Sequence, residues 1–328
     1  MTNRILRWGF LSTARINRAL IPPLRVSGRN QLVAVASRSI AQAKAYAEEW
    51  DIPLAFGSYE DMLAAPDIDV IYNSLPNALH AEWTIKAAQA GKHVLCEKPL
   101  ALSPEEVDAV AEAARQAGVF VAEAFMYRHH PQTLRLKEMV EEGVIGRLQL
   151  IRGSFTFPLL DRQNVRLAPE LGGGSIWDVG CYPISYARFL AGTEPVEVFG
   201  WQVTGPSGVD ETFAGQMRFP GEVLAQFDSG FQSPVRTHLE IVGSEGSINV
   251  PTPFKPGVNE VIELWRDNEV QPMAIPGQEL YMGEVEDMAD AVILGKSPRV
   301  SLEDSRGNVI AILALLQAAH QSVPVLLG

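Results

Sequence analysis

Short apolar runs alternate with longer, helix-like periods over the first 124 residues. The apolar runs predict buried strands at 6–11, 31–36, 69–73, 93–96 and 119–122. The stretches between them predict helices at 15–26, 40–50, 78–90 and 103–117, of which 40–50 is rich in Ala and Glu. Strands that alternate with helices form parallel βαβ units, so this part predicts an N-terminal, Rossmann-type, doubly wound parallel sheet.

Two of these helices carry local signals. The pair Pro22-Pro23 predicts a kink or break in the first helix, because proline removes a backbone amide hydrogen. Ser103 with Glu106 three positions on has the spacing of a capping box, which predicts a helix start. The same helix is predicted to end at Ala117-Gly118.

The pattern changes after about residue 125. Strand-like runs follow at 148–157, 196–203, 212–219, 223–231, 237–242 and 261–265. Helices are predicted at 131–142, 175–191, 283–294 and 302–321, and only one of them separates the strands. Few helices between strands favour antiparallel pairing. The chain is therefore predicted to be α/β, with domains 1–124 and 125–328, the second with a large, mostly antiparallel sheet.

Composition excludes several classes of partner. The chain has 328 residues and a formal net charge of −12, whereas phosphate binding needs clustered Lys and Arg, so nucleic acid and anionic membranes are not expected as partners. No apolar run approaches the ~20 residues of a membrane span. Met1–Gly9 enters a strand at once, with no room for a signal peptide. Two cysteines, Cys96 and Cys181, are too few for a disulfide framework, which favours the cytoplasm.

The first strand–helix turn stands where a dinucleotide-binding fold has the pattern G-x-G-x-x-G. This chain has Ser12-Thr13-Ala14-Arg15-Ile16-Asn17 there, so all three glycines are replaced. Small residues still let the backbone approach a pyrophosphate, and the helix N-terminus still supplies amide hydrogens. The candidate cofactor residues are Ser12, Thr13, Ala14, Arg15 and Ile16. An ordinary strand–helix turn is the alternative interpretation.

The end of the second strand bears on the choice of cofactor. An acidic residue about 20 positions after the turn would hold a ribose 2′-hydroxyl and favour NAD. Ser37 and Arg38 stand there instead, a hydroxyl and a guanidinium fork that suit a 2′-phosphate. This favours NADP, with NAD as the alternative cofactor. A solvated surface arginine is the alternative for Arg38.

Two longer motifs define a family resemblance. Glu97-Lys98-Pro99 ends a predicted strand, where an open parallel sheet presents its ligands. Gly172–Tyr182, with the sequence GGGSIWDVGCY, lies about eighty positions on. Together they resemble the glucose–fructose oxidoreductase and inositol dehydrogenase (Gfo/Idh/MocA) family. The tyrosine, where most of that family has histidine, resembles the branch of dimeric dihydrodiol dehydrogenases, NADP-dependent xylose dehydrogenases and ketosugar reductases.

The resemblance implies roles for further residues. In relatives the loop matching Leu75-Pro76-Asn77, with His80 on the next helix, passes the nicotinamide ribose and pyrophosphate. The alternative for His80 is a solvent-facing histidine at a helix start. Glu97 and Lys98 are also implied at the cofactor. Positions matching Arg128, Asn164 and Arg166 face the substrate in the tyrosine branch, with surface-loop residues as the alternative. The segment 164–174 is the predicted substrate-side loop.

The resemblance implies Lys98, Tyr182 and Asp178 as the catalytic residues. A free phenol has a pKa near 10, too high for a base at neutral pH. A lysine ammonium about 4 Å away would interact with the phenolate by about 4 kcal/mol at an effective dielectric constant of about 20, which lowers that pKa. Asp178 and Tyr182 are four apart, so on a helix they share a face, and Asp178 is expected to contact substrate hydroxyls or to orient the tyrosine ring. The alternatives are a core tyrosine and a solvated lysine.

The leading prediction is an NAD(P)-dependent oxidoreductase acting on a sugar, ketosugar, polyol or dihydrodiol, with NADP favoured. An NAD-dependent glycoside hydrolase and a non-enzymatic nucleotide-sensing regulator are the alternatives. No metal is expected, because adjacent side chains such as His129-His130 point apart and no third ligand has suitable spacing. A homodimer or homotetramer is expected, since the second sheet has a face that something must cover.

Overall fold

The structure is a computed structural model that describes residues 4–327. Its contacts divide the chain into two compact units. The first unit consists of the residues up to His129 together with Tyr281–Arg306. The second consists of His130–Leu280 together with the residues from Gly307 onward. Each unit contains one sheet, and the predicted α/β class with a parallel and a mostly antiparallel sheet is confirmed.

The sheet of the first unit is parallel throughout, with strand order β3-β2-β1-β4-β5-β6. This is the Rossmann order, in which ligands bind at the carboxyl ends of the strands. The strands are β1 Leu6–Leu11, β2 Asn30–Ala36, β3 Leu54–Phe56, β4 Val70–Asn73, β5 His93–Glu97 and β6 Val121–Ala124. The sequence analysis missed the short β3 and placed β6 two residues early.

Five helices connect these strands: α1 Asn17–Val26, α2 Ile40–Glu49, α3 Tyr59–Ala64, α4 His80–Gln89 and α5 Pro104–Ala117. The predicted start of α5 is confirmed, since the Ser103 hydroxyl accepts a hydrogen bond of 3.2 Å from the Glu106 amide. The predicted break in α1 is wrong, because Pro22 and Pro23 both lie inside the helix. Its apolar side buries Leu20, Ile21 and Leu24, which offsets the backbone hydrogen bonds that the two prolines cannot form.

A late segment of the chain packs with the first unit. The helix α8 Met282–Leu294 contributes Val285, Met288 and Ala289 to the same buried cluster as Trp8 and Tyr72. Arg29 before β2 also forms ion pairs with Glu286 and, at 2.6 Å, with Asp290. These contacts place Tyr281–Arg306 with the first unit, whereas the sequence analysis assigned all residues after 124 to the second domain.

The sheet of the second unit has nine strands in the order β14-β13-β12-β11-β7-β10-β9-β8-β15. They are β7 Leu148–Thr156, β8 Glu197–Thr204, β9 Asp210–Arg218, β10 Leu224–Gly230, β11 Arg236–Gly243, β12 Gly246–Val250, β13 Asn259–Arg266, β14 Glu269–Pro276 and β15 Val325–Leu326. All neighbours are antiparallel except β7 and β10, which pair in parallel. The sequence analysis missed β12, β14, β15 and this parallel pair.

Side chains alternate between the two faces of this sheet. In β9, Phe213 and Met217 are buried, whereas Ala214 and Gln216 between them are exposed. The exposed face carries a groove of about 510 Å³, and Trp201, 60% exposed, is among the residues that line it. The helices of this unit are α6 Pro131–Glu141 and α7 Cys181–Ala191, and α9 Leu302–Gln321 extends into it. The turn Ile176–Gly180, which precedes α7, is a π-helix.

Candidate active site

A network of polar side chains replaces the missing glycines of the β1–α1 turn. Ser12 takes the backbone conformation that glycine would provide, with φ of 115°. Its hydroxyl contacts the Ser74 hydroxyl at 2.9 Å and accepts from the Ala14 amide at 3.1 Å. Asn17, in the third glycine position, donates to the Ser12 carbonyl at 2.8 Å and accepts from the Ser74 hydroxyl at 2.6 Å. The turn is therefore held by side chains rather than by glycine.

Ser37 and Arg38 follow β2 at the carboxyl edge of the sheet. Ser37 is buried, and its hydroxyl lies 3.2 Å from the side-chain oxygen of Gln42. Arg38 is exposed. Burial raises the pKa of the nearby Tyr59 phenol and the charge of Arg38 opposes that rise, so the guanidinium lies within electrostatic reach of Tyr59. The structure thus leaves the Arg38 guanidinium accessible at the place where the sequence predicts a 2′-phosphate.

His80 joins two predicted cofactor loops. Its Nε2 lies 2.7 Å from the Leu75 carbonyl oxygen, and its Nδ1 lies 2.7 Å from the Pro99 carbonyl oxygen. The ring is 1% exposed, so the alternative of a solvent-facing histidine is wrong. Burial lowers the pKa of His80 to about 4, against the effect of the two carbonyls and in the same direction as the charge of Lys98. Pro76 and Asn77, between Leu75 and His80, are half-buried.

The Glu97-Lys98-Pro99 segment is anchored at both ends. Tyr72 of β4 donates a hydrogen bond of 2.5 Å to Glu97. At the other end, the Leu100 amide donates to the buried carboxylate of Glu123 at 2.9 Å. Together with the His80 contact to Pro99, these bonds fix the backbone on either side of Lys98. The Lys98 side chain itself is half-buried.

Arg128 is paired within the first unit. It lies in a short turn after β6, is 5% exposed, and donates to Asp304 at 2.8 Å. Of the neighbouring histidines, His129 is buried with its Nδ1 3.9 Å from an Asp287 oxygen, and the Nδ1 of His130 accepts from the Gln132 amide at 3.1 Å. Within residues 4–327, no group of three or more His, Cys, Asp or Glu side chains could hold a metal ion.

Three predicted substrate residues lie together in the second unit. Arg166 donates to Asp178 at 2.6 Å, and its backbone amide donates to the Asn164 side chain at 3.2 Å. Asp178 lies in the π-helical turn before α7, whereas Asn164 and Arg166 lie in the predicted substrate-side loop. The structure therefore brings Asn164, Arg166 and Asp178 together, and their role toward a substrate stays a prediction.

Tyr182 lies one turn after Asp178 and is 5% exposed. Its ring packs against Phe155, with centroids 5.3 Å apart, and against Phe254 at 5.8 Å. Phe155 and Phe254 are themselves stacked at 5.1 Å. An aromatic wall of β7 and the loop after β12 thus fixes the orientation of the tyrosine ring.

Sequence analysis missed the carboxylate at the start of this helix. Asp210 of β9 accepts from the Ser175 hydroxyl at 2.6 Å and from the Ile176 amide at 2.9 Å. The two segments are 34 and 35 residues apart in sequence, so no local pattern pairs them. Asp210 is the first residue of β9 and lies two positions before the strand predicted from 212, so the apolar pattern did not mark it.

Two families of protein domains match separate stretches of the chain. Residues 6–125 match the oxidoreductase family with an NAD-binding Rossmann fold, and residues 133–249 match the GFO/IDH/MocA C-terminal domain. The chain therefore belongs to the GFO/IDH/MocA family of oxidoreductases, and the resemblance drawn from its motifs is confirmed. No helix in residues 4–327 is long and apolar enough to cross a membrane.

Individual relatives span nearly the whole chain. It is 37% identical to D-xylose 1-dehydrogenase (NADP(+)) 2 of Haloferax volcanii, over 98% of this chain and 99% of the relative. It is 32% identical to a trans-1,2-dihydrobenzene-1,2-diol dehydrogenase of Xenopus laevis, over 91% of this chain and 93% of the relative. The structure of KijD10, a 3-ketoreductase from Actinomadura kijaniata in complex with NADP and TDP-benzene, is similar at a TM-score of 0.91, with 29% identity over 96% of this chain and 98% of that one.

Proposed function

We propose that this oxidoreductase transfers a hydride between NADP and the carbinol or carbonyl carbon of a sugar, ketosugar or related polyol or dihydrodiol. The observation that carries the proposal is the anchoring of Lys98 at the carboxyl edge of the Rossmann sheet, through the bonds on Glu97, Pro99 and Leu100. The named relatives, a xylose dehydrogenase, a dihydrodiol dehydrogenase and a 3-ketoreductase, support this substrate class.

The first unit fits a dinucleotide. The turn of Ser12, Thr13, Ala14, Arg15 and Ile16 precedes the N-terminus of α1, where backbone amides favour a pyrophosphate. Ser37 and Arg38 would hold the 2′-phosphate, and Leu75, Pro76, Asn77, His80 and Glu97 would shape the nicotinamide end. When bound, the nicotinamide supplies the hydride chemistry. The NADP dependence of the xylose dehydrogenase relative and the NADP bound to KijD10 support NADP over NAD.

The protein's own chemical task is to move one proton. We assign that proton to the Tyr182 hydroxyl, which would accept it from the substrate during oxidation and return it during reduction. The site is buried, and burial disfavours a phenolate, so a nearby positive charge is needed to populate it. Lys98 is the residue we assign to that role.

The remaining predicted residues would orient the substrate. Asp178 is bonded to Arg166, so its carboxylate is held in one position and its second oxygen suits a substrate hydroxyl. Asn164 and Arg166 would complete the hydrogen bonds to the sugar. We also assign Arg128, whose guanidinium is held by Asp304, to the substrate.

We also propose that the chain works as a homodimer or homotetramer in the cytoplasm, on a small-molecule substrate. The exposed face of the nine-stranded sheet supports self-association, because it displays Trp201, Val203 and Leu224 at 60%, 59% and 47% exposure beside a groove of about 510 Å³. Exposed apolar side chains on one face are typical of protein–protein contact.

A substrate screen tests the proposed reaction. Aldoses, ketosugars and trans-dihydrodiols are offered with NADP or NAD, and the absorbance of the reduced nicotinamide is followed. We expect net cofactor reduction or oxidation with at least one substrate, and faster turnover with NADP. Hydrolysis of glycosides without net change in cofactor absorbance would contradict the proposal, and so would failure of every substrate to change that absorbance.

A further inference from the structure

The first residues of the helical segment that carries Asp178 and Tyr182 donate hydrogen bonds to the buried carboxylate of Asp210. Asp210 is 4% exposed and accepts from the Ser175 hydroxyl at 2.6 Å and the Ile176 amide at 2.9 Å. An ionised side chain that accepts backbone amide bonds at a helix start is stabilised by the helix dipole and fixes that end of the helix. The contact therefore acts on the first turn of the segment that holds two proposed active-site residues.

The backbone around this contact is shaped to fit the carboxylate. Gly174, with φ of 124°, lies so close that a Cβ there would overlap the Asp210 side chain. Ser175 also contacts the Ser229 hydroxyl of β10 at 3.0 Å, and both serines are buried. The start of the helix is thus fastened to β9 and β10 through a small set of buried polar contacts.

The charged residues near Asp210 form ion pairs with other residues. Asp178 on the helix is paired with Arg166, and Glu211, the next residue of β9, is paired with Arg162. None of the ion pairs found in residues 4–327 includes Asp210, so hydroxyl and amide groups are its partners. Burial raises the pKa of Asp210 to about 6, against the hydrogen bonds from Ser175 and Ile176.

We propose that Asp210 is a positioning residue, whose ionised carboxylate fixes the helix start so that Tyr182 and Asp178 meet the substrate correctly. This inference rests on the proposed role of Tyr182. The partners of Asp210 are donors, so a protonated carboxyl must turn a serine hydroxyl around to accept its hydrogen, and the helix start then loosens. Small misplacements of catalytic groups cost up to about a hundredfold in rate.

The pH dependence of stability and of turnover distinguishes a positioning role of Asp210 from a purely structural role. Because its pKa is raised in the folded chain, protonation favours the folded state, and this group stabilises the fold as the pH falls through about 6. Turnover should change in the opposite direction, since the charged form holds the helix. A residue with only a structural role would move stability and turnover together.

The pH dependence of turnover tests the proposal. We expect wild-type kcat to fall at least tenfold between about pH 7.5 and 5, through an apparent pKa near 6. Asp210→Asn should lower kcat at least tenfold at pH 7.5 and flatten this acid limb, without lowering the thermal midpoint. The matched control is Asp267→Asn, in an exposed turn of the same unit, which should behave as wild type. An Asp210→Asn enzyme with wild-type kcat and an unchanged acid limb would overturn the proposal.

A second variant covers the case in which Asp210→Asn does not fold. Ser175→Ala removes one donor to the carboxylate, so the pKa of Asp210 should rise and the acid limb should move to higher pH. An unmoved limb would overturn the proposal. If the wild type turns over no substrate, the proposed function fails. The effect of the Asp210 charge on the helix start is then tested separately, by amide hydrogen exchange. After correction for the intrinsic exchange rate at each pH, the amides of residues 175–182 should be less protected at pH 5 than at pH 7.5, and equal protection at the two pH values would refute it.

Discussion

The Tyr72 phenol donates a hydrogen bond of 2.5 Å to Glu97, the residue directly before Lys98. The two residues lie on the adjacent parallel strands β4 and β5. Burial raises the pKa of Tyr72 well above its ordinary value, and the charges of Glu97 and Glu284 add to the rise, so the phenol keeps its proton. The other Glu97 oxygen accepts from the Lys98 amide at 3.3 Å. Tyr72 thereby helps to hold the backbone of the proposed catalytic lysine.

Removing this hydroxyl should lower both the turnover and the stability of the enzyme. Tyr72→Phe keeps the buried ring but removes the hydrogen bond from Tyr72 to Glu97, which should lower kcat about tenfold and the free energy of unfolding by about 1–3 kcal/mol. Steady-state kinetics and urea unfolding measure both. The matched comparison is Glu97→Gln and the double variant. If the hydrogen bond causes both effects, the double variant should lose little more kcat and stability than either single variant. Fully additive losses of kcat and stability would contradict this explanation.

The cofactor preference should depend on Arg38. Charge-assisted hydrogen bonds are worth about 1.5–3 kcal/mol, so NADP should bind at least tenfold more tightly than NAD, and Arg38→Ala should erase most of that difference. Titration calorimetry with both cofactors measures the ratio. Arg115→Ala, at an exposed arginine paired with Glu112 on α5, should leave the ratio as in wild type. Tighter binding of NAD than NADP by the wild type would overturn this prediction.

Acid should destabilise the fold through His129. Burial, with the charges of Arg299 and Arg128, lowers its pKa to about 3. An unfolded histidine has a pKa near 6.5, so between about pH 6.5 and 5 only the unfolded chain gains this proton and about 2 kcal/mol of stability is lost. His129→Gln has no group that titrates here, so acid does not lower its stability in this way. We therefore expect the variant to be less stable than wild type at pH 8, and this difference in the free energy of unfolding to shrink by about 2 kcal/mol at pH 5. Urea unfolding at both pH values measures it, and a constant deficit would contradict the prediction.

The exposed sheet face should mediate self-association. We expect sedimentation at micromolar concentration to show a dimer or tetramer. Trp201→Glu places a charge among the apolar side chains of that face and should shift the protein to monomer. Val26→Glu, at a valine 74% exposed in the first unit, is the matched control and should keep the assembly. A wild-type protein that sediments only as a monomer would refute the prediction.

The parallel sheet could be predicted because each of its longer strands is a local apolar run. The three-residue β3 was missed since so short a strand leaves no period. The parallel pairing of β7 with β10 is a non-local choice that follows from strand order, which an apolar pattern does not encode. The assignment of α8 to the first unit likewise depends on contacts with distant residues such as Trp8.

Part of the candidate site could likewise be predicted from local sequence, and part could not. Lys98, Asp178 and Tyr182 were found because they lie in contiguous motifs. The residues that support those motifs were not found, because they lie on other strands. Tyr72 is 25 residues from its partner Glu97, and Asp210 is 35 residues from its partner Ser175. The polar substitute for the missing glycines shows the same limit, because Ser74 lies 57 residues from Asn17. Local motifs thus led to the proposed reacting groups, and the fold was needed to show which residues hold them.

The central claim is that the Tyr182 hydroxyl moves the substrate proton. Tyr182→Phe keeps the ring between Phe155 and Phe254, so the fold and NADP binding should survive. Loss of general acid–base catalysis should lower the rate by about 10²–10⁴. Lys98→Ala should cost at least as much. Lys98→Arg should not rescue it, because the guanidinium is broader and stays charged at every working pH.

The most direct measurement is the turnover of Tyr182→Phe with the best substrate, under conditions where a deuteride isotope effect shows that hydride transfer limits the rate. The account predicts a fall of at least about a hundredfold with unchanged NADP affinity. Near wild-type turnover under the same conditions would contradict it, and Asp178 or His130 would then be the next candidate for the base.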